Sequence, residues 1–263
     1  MKQEIMTIVA NRKLAPRIFE LTLTGQLVDY MDKPGQFLHI RVPQQDLLLR
    51  RPISINQINH QEKTCTIIYR TEGQGTLVFS QLIAGDKLDV MGPLGNGFDL
   101  SALQAKEVVY IIGGGIGIPP LYELSKQLIE KGVQPIHFLG FASQEVSYYV
   151  EEFAALAPTY IATDDGTLGV KGNVGTLLDE YLLTNTELPK AVFSCGNNGM
   201  LKKVESLFVE KIDNVQLSLE SRMACGMGAC YACVCHVKDD DKQTKSVKVC
   251  DDGPIFKAGT VIF

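Results

Sequence analysis

Four cysteines, Cys225, Cys230, Cys233 and Cys235, crowd into eleven residues, and Cys250 follows. The first three read C-x4-C-x2-C, with sixteen residues between Cys233 and Cys250. That opening matches the plant-type spacing of a two-iron, two-sulfide cluster, [2Fe-2S]. Two irons bridged by sulfides need four thiolates converging from different directions. A tight loop can supply three, and a fourth must arrive from a distant segment. The residues between them, Ala224, Gly226, Gly228, Ala229 and Ala232, are small. Small residues let backbone N–H groups approach the sulfurs, which tunes the potential. The competing reading is a structural zinc site. Zinc prefers two C-x2-C knuckles, and the long step from Cys225 to Cys230 and the lack of a second knuckle argue against it. Cys235, two residues after Cys233, would serve as a ligand only if Cys250 were remote.

A second candidate is Ile111-Ile112-Gly113-Gly114-Gly115-Ile116-Gly117-Ile118-Pro119-Pro120, which reads as strand, glycine turn and helix start. Glycines let the backbone approach a ligand without Cβ clashes. The N-terminus of the following helix is expected to offer N–H groups and a positive dipole to a phosphate. The alternative is a tight turn without a ligand. No acidic residue stands at the Rossmann spacing, so the fingerprint is not the standard one. Ser194-Cys195-Gly196-Asn197 again joins a predicted strand to a helix, at the end of the strands where ligands sit. Plain packing is the simpler role for Cys195. In Leu49-Arg50-Arg51-Pro52-Ile53-Ser54-Ile55, Arg51 could grip a phosphate and Ser54 could bond a ring heteroatom. The histidines, His39, His60, His137 and His236, are scattered and expected to be structural. No triad or carboxylate pair is evident, and no catalytic side chain is assigned.

These residues must be positioned by a scaffold. Up to about residue 100, short runs rich in β-branched residues (Ile5–Val9, Ile18–Leu23, Phe37–Val42, Cys65–Tyr69, Lys87–Met91) alternate with glycine and proline turns. That pattern predicts a small antiparallel barrel. From Val108 strands alternate with helical spacing, as in Leu121, Leu124 and Leu128, which predicts a parallel sheet. Helices are expected around 145–156, 174–182 and 200–209. The fold class is therefore a β barrel plus an α/β domain, with a small cysteine-bearing segment at the end. The boundaries expected are 1–102, 103–218 and 219–263. Asp239–Asp241 reads as a solvated loop tip.

Length and composition agree. At 263 residues the chain allows about two domains and an appendix. Hydrophobic residues are 45% and charged residues 21%, which excludes a disordered chain. The net charge of −5 and the lack of basic runs argue against a nucleic-acid partner or a polybasic membrane contact. The uncharged stretch Val108–Tyr122 is too short to span a bilayer. The first residues carry no apolar signal core, so a cytoplasmic location is expected. Seven cysteines in a chain of this length do not suggest a secreted disulfide scaffold.

The arginine–serine motif, Ile68-Tyr69-Arg70, Gly75-Thr76 and the glycine-loop domain together resemble the ferredoxin–NADP reductase superfamily. Thr163-Asp164-Asp165-Gly166 and Cys195-Gly196 add to the likeness. The order barrel, nicotinamide domain, cysteine segment more narrowly resembles the electron-transfer subunits of type B dihydroorotate dehydrogenases. RRPISI, MGPLGNGF, IIGGGIGIPPLYEL and ESRMACGMGACYAC carry that resemblance, which spans the chain. It implies FAD at Arg51, Pro52, Ile53, Ser54, Ile68, Tyr69, Arg70, Gly75 and Thr76. It implies the nicotinamide nucleotide at Gly113, Gly114, Gly115, Gly117, Cys195 and Gly196, and the cluster on Cys225, Cys230, Cys233 and Cys250. The implied partner is an FMN-containing dihydroorotate dehydrogenase catalytic subunit, in a heterotetramer with two copies of each chain. Two departures stand out. Ile53 replaces the aromatic of the flavin motif, and Phe263 ends a cysteine segment instead of a reductase tail. No arginine follows Leu139-Gly140-Phe141-Ala142-Ser143, which favours NAD+ over NADP+. The main alternative is an NAD(P)H-dependent reductase feeding an oxygenase or another dehydrogenase. A nucleotide or metal sensor is the other, and a colourless protein would mark it.

Overall fold

The structure is a computed structural model that describes residues 2–239 and 241–263. Asp240, within the expected acidic loop tip, lies outside the described residues. Six antiparallel strands close a barrel: β1 (Lys2–Ala15), β2 (Ile18–Thr24), β3 (Phe37–Ile40), β4 (Arg51–Asn59), β5 (Thr64–Arg70) and β6 (Lys87–Leu94). Their order around it is β1-β2-β5-β4-β3-β6. Period-two alternation decides the faces. Leu21 and Leu23 of β2, Leu38 and Ile40 of β3, and Ile67 of β5 fill the interior. Strand β4 carries the arginine–serine motif and switches phase. Ile53 and Ile55 point inward, a bulge follows between Ile55 and Gln57, and Ile58 is inward again. Asn56 faces out of the barrel, and the bulge resets the alternation so that Ile58, not Gln57, points inward. A short helix α1 (Gln74–Phe79) plugs the barrel with Phe79.

The second layer system is a sheet. Strands β7 (Val108–Gly114), β8 (Gln134–Phe141), β9 (Thr159–Thr163), β10 (Val170–Lys171), β11 (Ala191–Cys195) and β12 (Val215–Ser218) run parallel in the order β10-β9-β8-β7-β11-β12. Central β7 is apolar on both faces, as a buried parallel strand must be. Val109 and Ile111 meet α2 (Pro119–Glu130) and α3 (Val150–Leu156). Tyr110 and Ile112 meet α4 (Val174–Thr184) and α5 (Asn198–Phe208). Gly132, at φ +79°, ends α2 in the left-handed conformation that suits glycine. The helix expected around 145–156 is split. A 3₁₀ turn spans Gln144–Val146, and α3 begins only at Val150. The break falls at Tyr149, left-handed at φ +60°, whose ring is drawn toward the barrel.

The cysteine segment does not form a core of its own. Strands β13 (Val234–Lys238), β14 (Thr244–Lys248) and β16 (Val261–Ile262) make a small sheet, but β15 (Ile255–Lys257) pairs antiparallel with β12 and extends the large one. Cys233, Val249 and Cys250 share one apolar cluster with Phe37, Met91 and Leu94 of the barrel and Leu217 of the sheet. Asn96, just after the barrel, brackets the segment from the other side. Its Nδ2 donates to the carbonyls of Asp252 (3.0 Å) and Ile255 (3.2 Å), and its Oδ1 accepts from Ile255 N–H. Gly95 makes this possible, because a Cβ there would sit 2.5 Å from Pro254. Among the described residues, no helix is long and apolar enough to cross a membrane.

Buried polar groups lock barrel to sheet domain. Tyr149 Oη donates to Glu20 Oε2 of β2 (2.5 Å) and accepts from Asn56 Nδ2 of β4 (3.1 Å). Glu123 of α2 accepts from Ile58 N–H of β4 at 3.0 Å. Tyr149→Phe leaves the buried Asn56 Nδ2 without its partner and removes one of the bonds to Glu20, which Arg12 still holds. We expect it to destabilise the fold by about 1–3 kcal/mol, read as a lower urea midpoint.

His137 of β8 is wholly buried, with Ser125 Oγ 2.8 Å from Nε2 and Thr159 Oγ1 2.9 Å from Nδ1. Burial lowers its pKa from 6.5 to about 4. The unfolded chain therefore binds this proton at a higher pH than the native one does. Its contribution is full above pH 6.5 and is lost as the pH falls toward 4, roughly 3 kcal/mol in all. Wild type should lose urea stability more steeply than His137→Gln between pH 7 and pH 4.5.

Candidate functional site

Two clefts open where the barrel edge meets the carboxyl ends of the parallel strands. The barrel-side cleft encloses about 250 Å³. Arg51, Pro52, Ile53 and Ser54 of β4 form one wall, and Ile68, Tyr69 and Arg70 of β5 the next. Arg51 lies over Gly75, where a Cβ would stand 2.6 Å from its Nε, so α1 must present a glycine there. The Thr76 side chain also reaches the cleft. Its hydroxyl is engaged locally, donating to the Gly73 carbonyl and accepting from Glu72 N–H. The Tyr69 ring belongs to the barrel core, between Phe19 and Phe79, and its hydroxyl donates to Asn11. Ile53 is nearly buried and presents an aliphatic surface.

The larger cleft, about 870 Å³, is bounded by Gly114, Gly115 and Gly117. Asn173 and Asn197 border it and cap α4 and α5. Asn173 Oδ1 accepts from Gly175 N–H and Thr176 N–H, and Asn197 Oδ1 from Met200 N–H. Lys203 of α5 pairs with Asp179 of α4 across its rim at 2.9 Å. The expected amides at the start of α2 are not offered. Pro119 and Pro120 have none, Ile118 N–H bonds the Gly115 carbonyl and Leu121 N–H bonds the Ile118 carbonyl. A phosphate here must be met by the glycine turn itself. Tyr148 steadies that turn by donating to the Gly115 carbonyl at 2.8 Å.

Gly113 and Gly196 line neither cleft. A Cβ on Gly113 would collide with Leu121 and Ile118, and one on Gly196 with Met200, so both serve close packing. Cys195 lines the barrel-side cleft, beside Ser218 in the β11–β12 register. Burial pushes its thiol up to about 12, so it stays uncharged.

Sequence reasoning missed Glu220. Its carboxylate borders both clefts, together with Arg70 and Ile116. It is open to the cleft water, yet the protein around it desolvates the charge and raises its pKa, while the Arg70 guanidinium opposes the rise. Arg70 also pairs with Glu72. Only its place at the head of the cysteine motif hinted at Glu220 in the sequence.

The cysteine loop continues from there, and Met223 lines the barrel-side cleft. The thiols fall into two pairs. Cys225 lies beside Cys230, and Cys250 beside Cys233, whose Sγ accepts from Cys250 N–H at 3.5 Å. Backbone amides reach the sulfurs: Met227 N–H to Cys225 Sγ at 3.4 Å and Gly228 N–H to Cys250 Sγ at 3.2 Å. Burial opposes ionisation of Cys225, but bonds from Met227, Cys230 and Ala229 outweigh it and bring the thiol down to about 6. Burial pushes Cys250 up to about 12. Gly226 and Gly228, at φ +70° and +78°, give the loop its curl. Cys235 stands apart on β13, opposite Val247, and packs against the shared core. Among the described residues, no three His, Cys, Asp or Glu side chains close on a point as a single ion requires. Two pairs of thiols with amide donors aimed at sulfur fit a cluster of two irons better than one zinc.

Residues 220–262 match the family described as the iron-sulfur cluster binding domain of dihydroorotate dehydrogenase B. The chain is 63% identical over 261 residues to a dihydroorotate dehydrogenase B (NAD(+)) electron transfer subunit from Enterococcus faecalis, covering 99% of this chain and 98% of the relative. The subunit of the same name from Streptococcus mutans is 52% identical over 260 residues, with the same coverage. Among solved structures, an NADH-dependent reduced ferredoxin-NADP oxidoreductase, studied for flavin-based electron bifurcation, superposes with TM-score 0.84. It is 28% identical and covers 98% of this chain and 90% of its own. A ferredoxin NADP+ reductase from Neisseria gonorrhoeae with bound FAD and NADP shares the fold at TM-score 0.66. It is 18% identical, over 80% of this chain and 92% of its own. The expected order of barrel, parallel sheet and cysteine segment is the fold found.

The tightest point between the clefts yields a prediction. A Cβ on Gly117 would lie 2.4 Å from the Cys195 carbonyl oxygen, whereas one on Gly115 meets open space at φ +52°. Gly117→Ala is expected to destabilise by about 1–3 kcal/mol through overpacking. Gly115→Ala should lose only the roughly 1–2 kcal/mol of a left-handed backbone. The order of the urea midpoints, Gly115→Ala above Gly117→Ala, checks it.

Proposed function

The chain belongs to the electron transfer subunits of dihydroorotate dehydrogenase B, and from that premise we propose that it carries electrons from a dihydroorotate-oxidising partner to NAD+. The observation that carries this reading is the shared wall of the two clefts. Arg70, Ile116 and Glu220 border both, and Met223 brings the cysteine loop to the same place. A nicotinamide in one cleft and a flavin in the other would then meet at a single wall, with the cysteine loop alongside.

We assign FAD to the barrel-side cleft, with Arg51 on its phosphates, Ser54 on its ring, and Gly75 giving Arg51 its place. Pro52, Ile53, Ile68, Tyr69, Arg70 and Thr76 complete the walls. NAD+ is assigned to the larger cleft. There the turn at Gly114, Gly115 and Gly117 meets the phosphates, and Lys203 and Arg17 offset their charge. Cys195, on the barrel-side cleft, gives an uncharged floor where the nicotinamide would reach the flavin. The two thiol pairs, Cys225 with Cys230 and Cys233 with Cys250, hold one iron each. FAD, when bound, exchanges electrons singly and in pairs, so it joins a one-electron cluster to a two-electron nicotinamide.

Overall, dihydroorotate loses two electrons and two protons, NAD+ gains both electrons and one proton, and one proton is released. This chain has no evident site for dihydroorotate, so the oxidation falls to an FMN-containing catalytic subunit. The assembly proposed is a heterotetramer with two copies of each chain. Its proposed location is the cytoplasm, where the free thiols of the loop stay reduced.

Co-purification of the two chains tests the reading, with NAD+ reduction by dihydroorotate as the assay and mass in solution as the stoichiometry. Cys230→Ser is expected to lose the cluster's visible absorbance and abolish that reduction. A variant that kept both would overturn the ligand assignment. An oxygenase as the co-purifying partner would overturn the direction of flow.

A further inference from the structure

His39 is a polar side chain that the fold buries completely and leaves without a partner. It is wholly inaccessible to water, and neither Nδ1 nor Nε2 has a hydrogen-bond partner. In β3 the flanking Leu38 and Ile40 point into the barrel, so His39 points outward. An outward barrel position is ordinarily wet. Here the cysteine loop covers it. A Cβ on Gly226 would stand 2.4 Å from His39 Nδ1, so the ring lies directly against the backbone beside Cys225. The backbones of Cys225 and Arg50 lie beside the ring. On its other side β3 pairs with β4, with His39 opposite Pro52, between Arg51 and Ser54. One imidazole therefore spans from the strand assigned to the flavin to the loop assigned to the cluster.

A leucine or methionine would fill this space without burying unpaired nitrogens. What histidine adds is a donor. We propose that His39 is a positioning residue, whose ring N–H donates to the Cys225 carbonyl when the cluster is in place and so fixes the first thiolate relative to β4. The inference rests on reading the cysteine loop as a cluster site. Outer hydrogen bonds of this kind orient metal ligands and tune their electronic properties. Gly226 follows from the same contact, because any side chain there would displace the ring.

The test uses the assembled two-subunit complex carrying His39→Leu, which fills the space without a donor, or His39→Gln, which keeps one. Redox titration followed by electron paramagnetic resonance reads the cluster directly. His39→Leu is expected to shift the cluster's midpoint potential and g values. It should lower kcat for dihydroorotate-dependent NAD+ reduction about tenfold while KM for NAD+ holds. His39→Gln should restore wild-type potential and g values. If His39→Leu fails to assemble a cluster, His39→Gln decides: wild-type behaviour supports the donor role, and a defect as deep as that of leucine overturns it. A His39→Leu complex with wild-type potential, g values and kcat also overturns it, and leaves the cluster reading standing. A wild-type complex without a two-iron signal would instead overturn the cluster reading, and this inference with it.

Discussion

The close approach of Gly117 to the Cys195 carbonyl is the contact on which the geometry of the ligand-binding end depends. With no side chain between them, the glycine turn after β7 and the end of β11 lie backbone to backbone. The parallel register brings Cys195 level with Gly113, so both strands finish at one height. That leaves the turn free to wall one cleft and Cys195 to floor the other. A bulkier residue at 117 would part the strand ends and separate the clefts. Tyr148, bonded to the Gly115 carbonyl, holds the same turn from outside.

The domains around this point are joined by directional bonds as well as apolar contact. Apolar surfaces tolerate small slides, whereas a hydrogen bond between buried groups weakens steeply with misalignment. Tyr149 bridges Glu20 and Asn56, Glu123 holds Ile58, and Asn96 brackets residues 252–255. Each links a different pair of segments. Strand β4 supplies two of these partners around its bulge, Asn56 facing outward and Ile58 shifted into its register. The strand that carries the arginine–serine motif is thus also the strand that orients the sheet domain.

The cysteine segment has the same dual dependence. Cys233 and Cys250 lie in a core built from barrel, sheet and segment together, so that thiol pair is set by tertiary packing. Cys225 and Cys230 belong to the outer curl of the loop, where Cys230 is exposed and backbone amides reach the Cys225 sulfur. One pair is buried, and the other stands toward the surface.

Much was legible in the residues alone. Period-two runs, the apolar strand at Val108–Ile112 and the leucines of α2 determined barrel, sheet and helix. The spacing C-x4-C-x2-C determined that thiols would cluster, because local spacing and period are properties of neighbouring residues. The break before α3 was not legible, because the pull on Tyr149 comes from Glu20 and Asn56, far away in sequence. The absence of amides at the start of α2 was visible in Pro119-Pro120, but its consequence needed the turn's hydrogen bonds. Glu220, His39 and the shared wall of the clefts were decided only by tertiary structure. Each owes its environment to three segments distant in the chain, and no pattern of neighbours encodes what a carboxylate will face or an imidazole will be buried against.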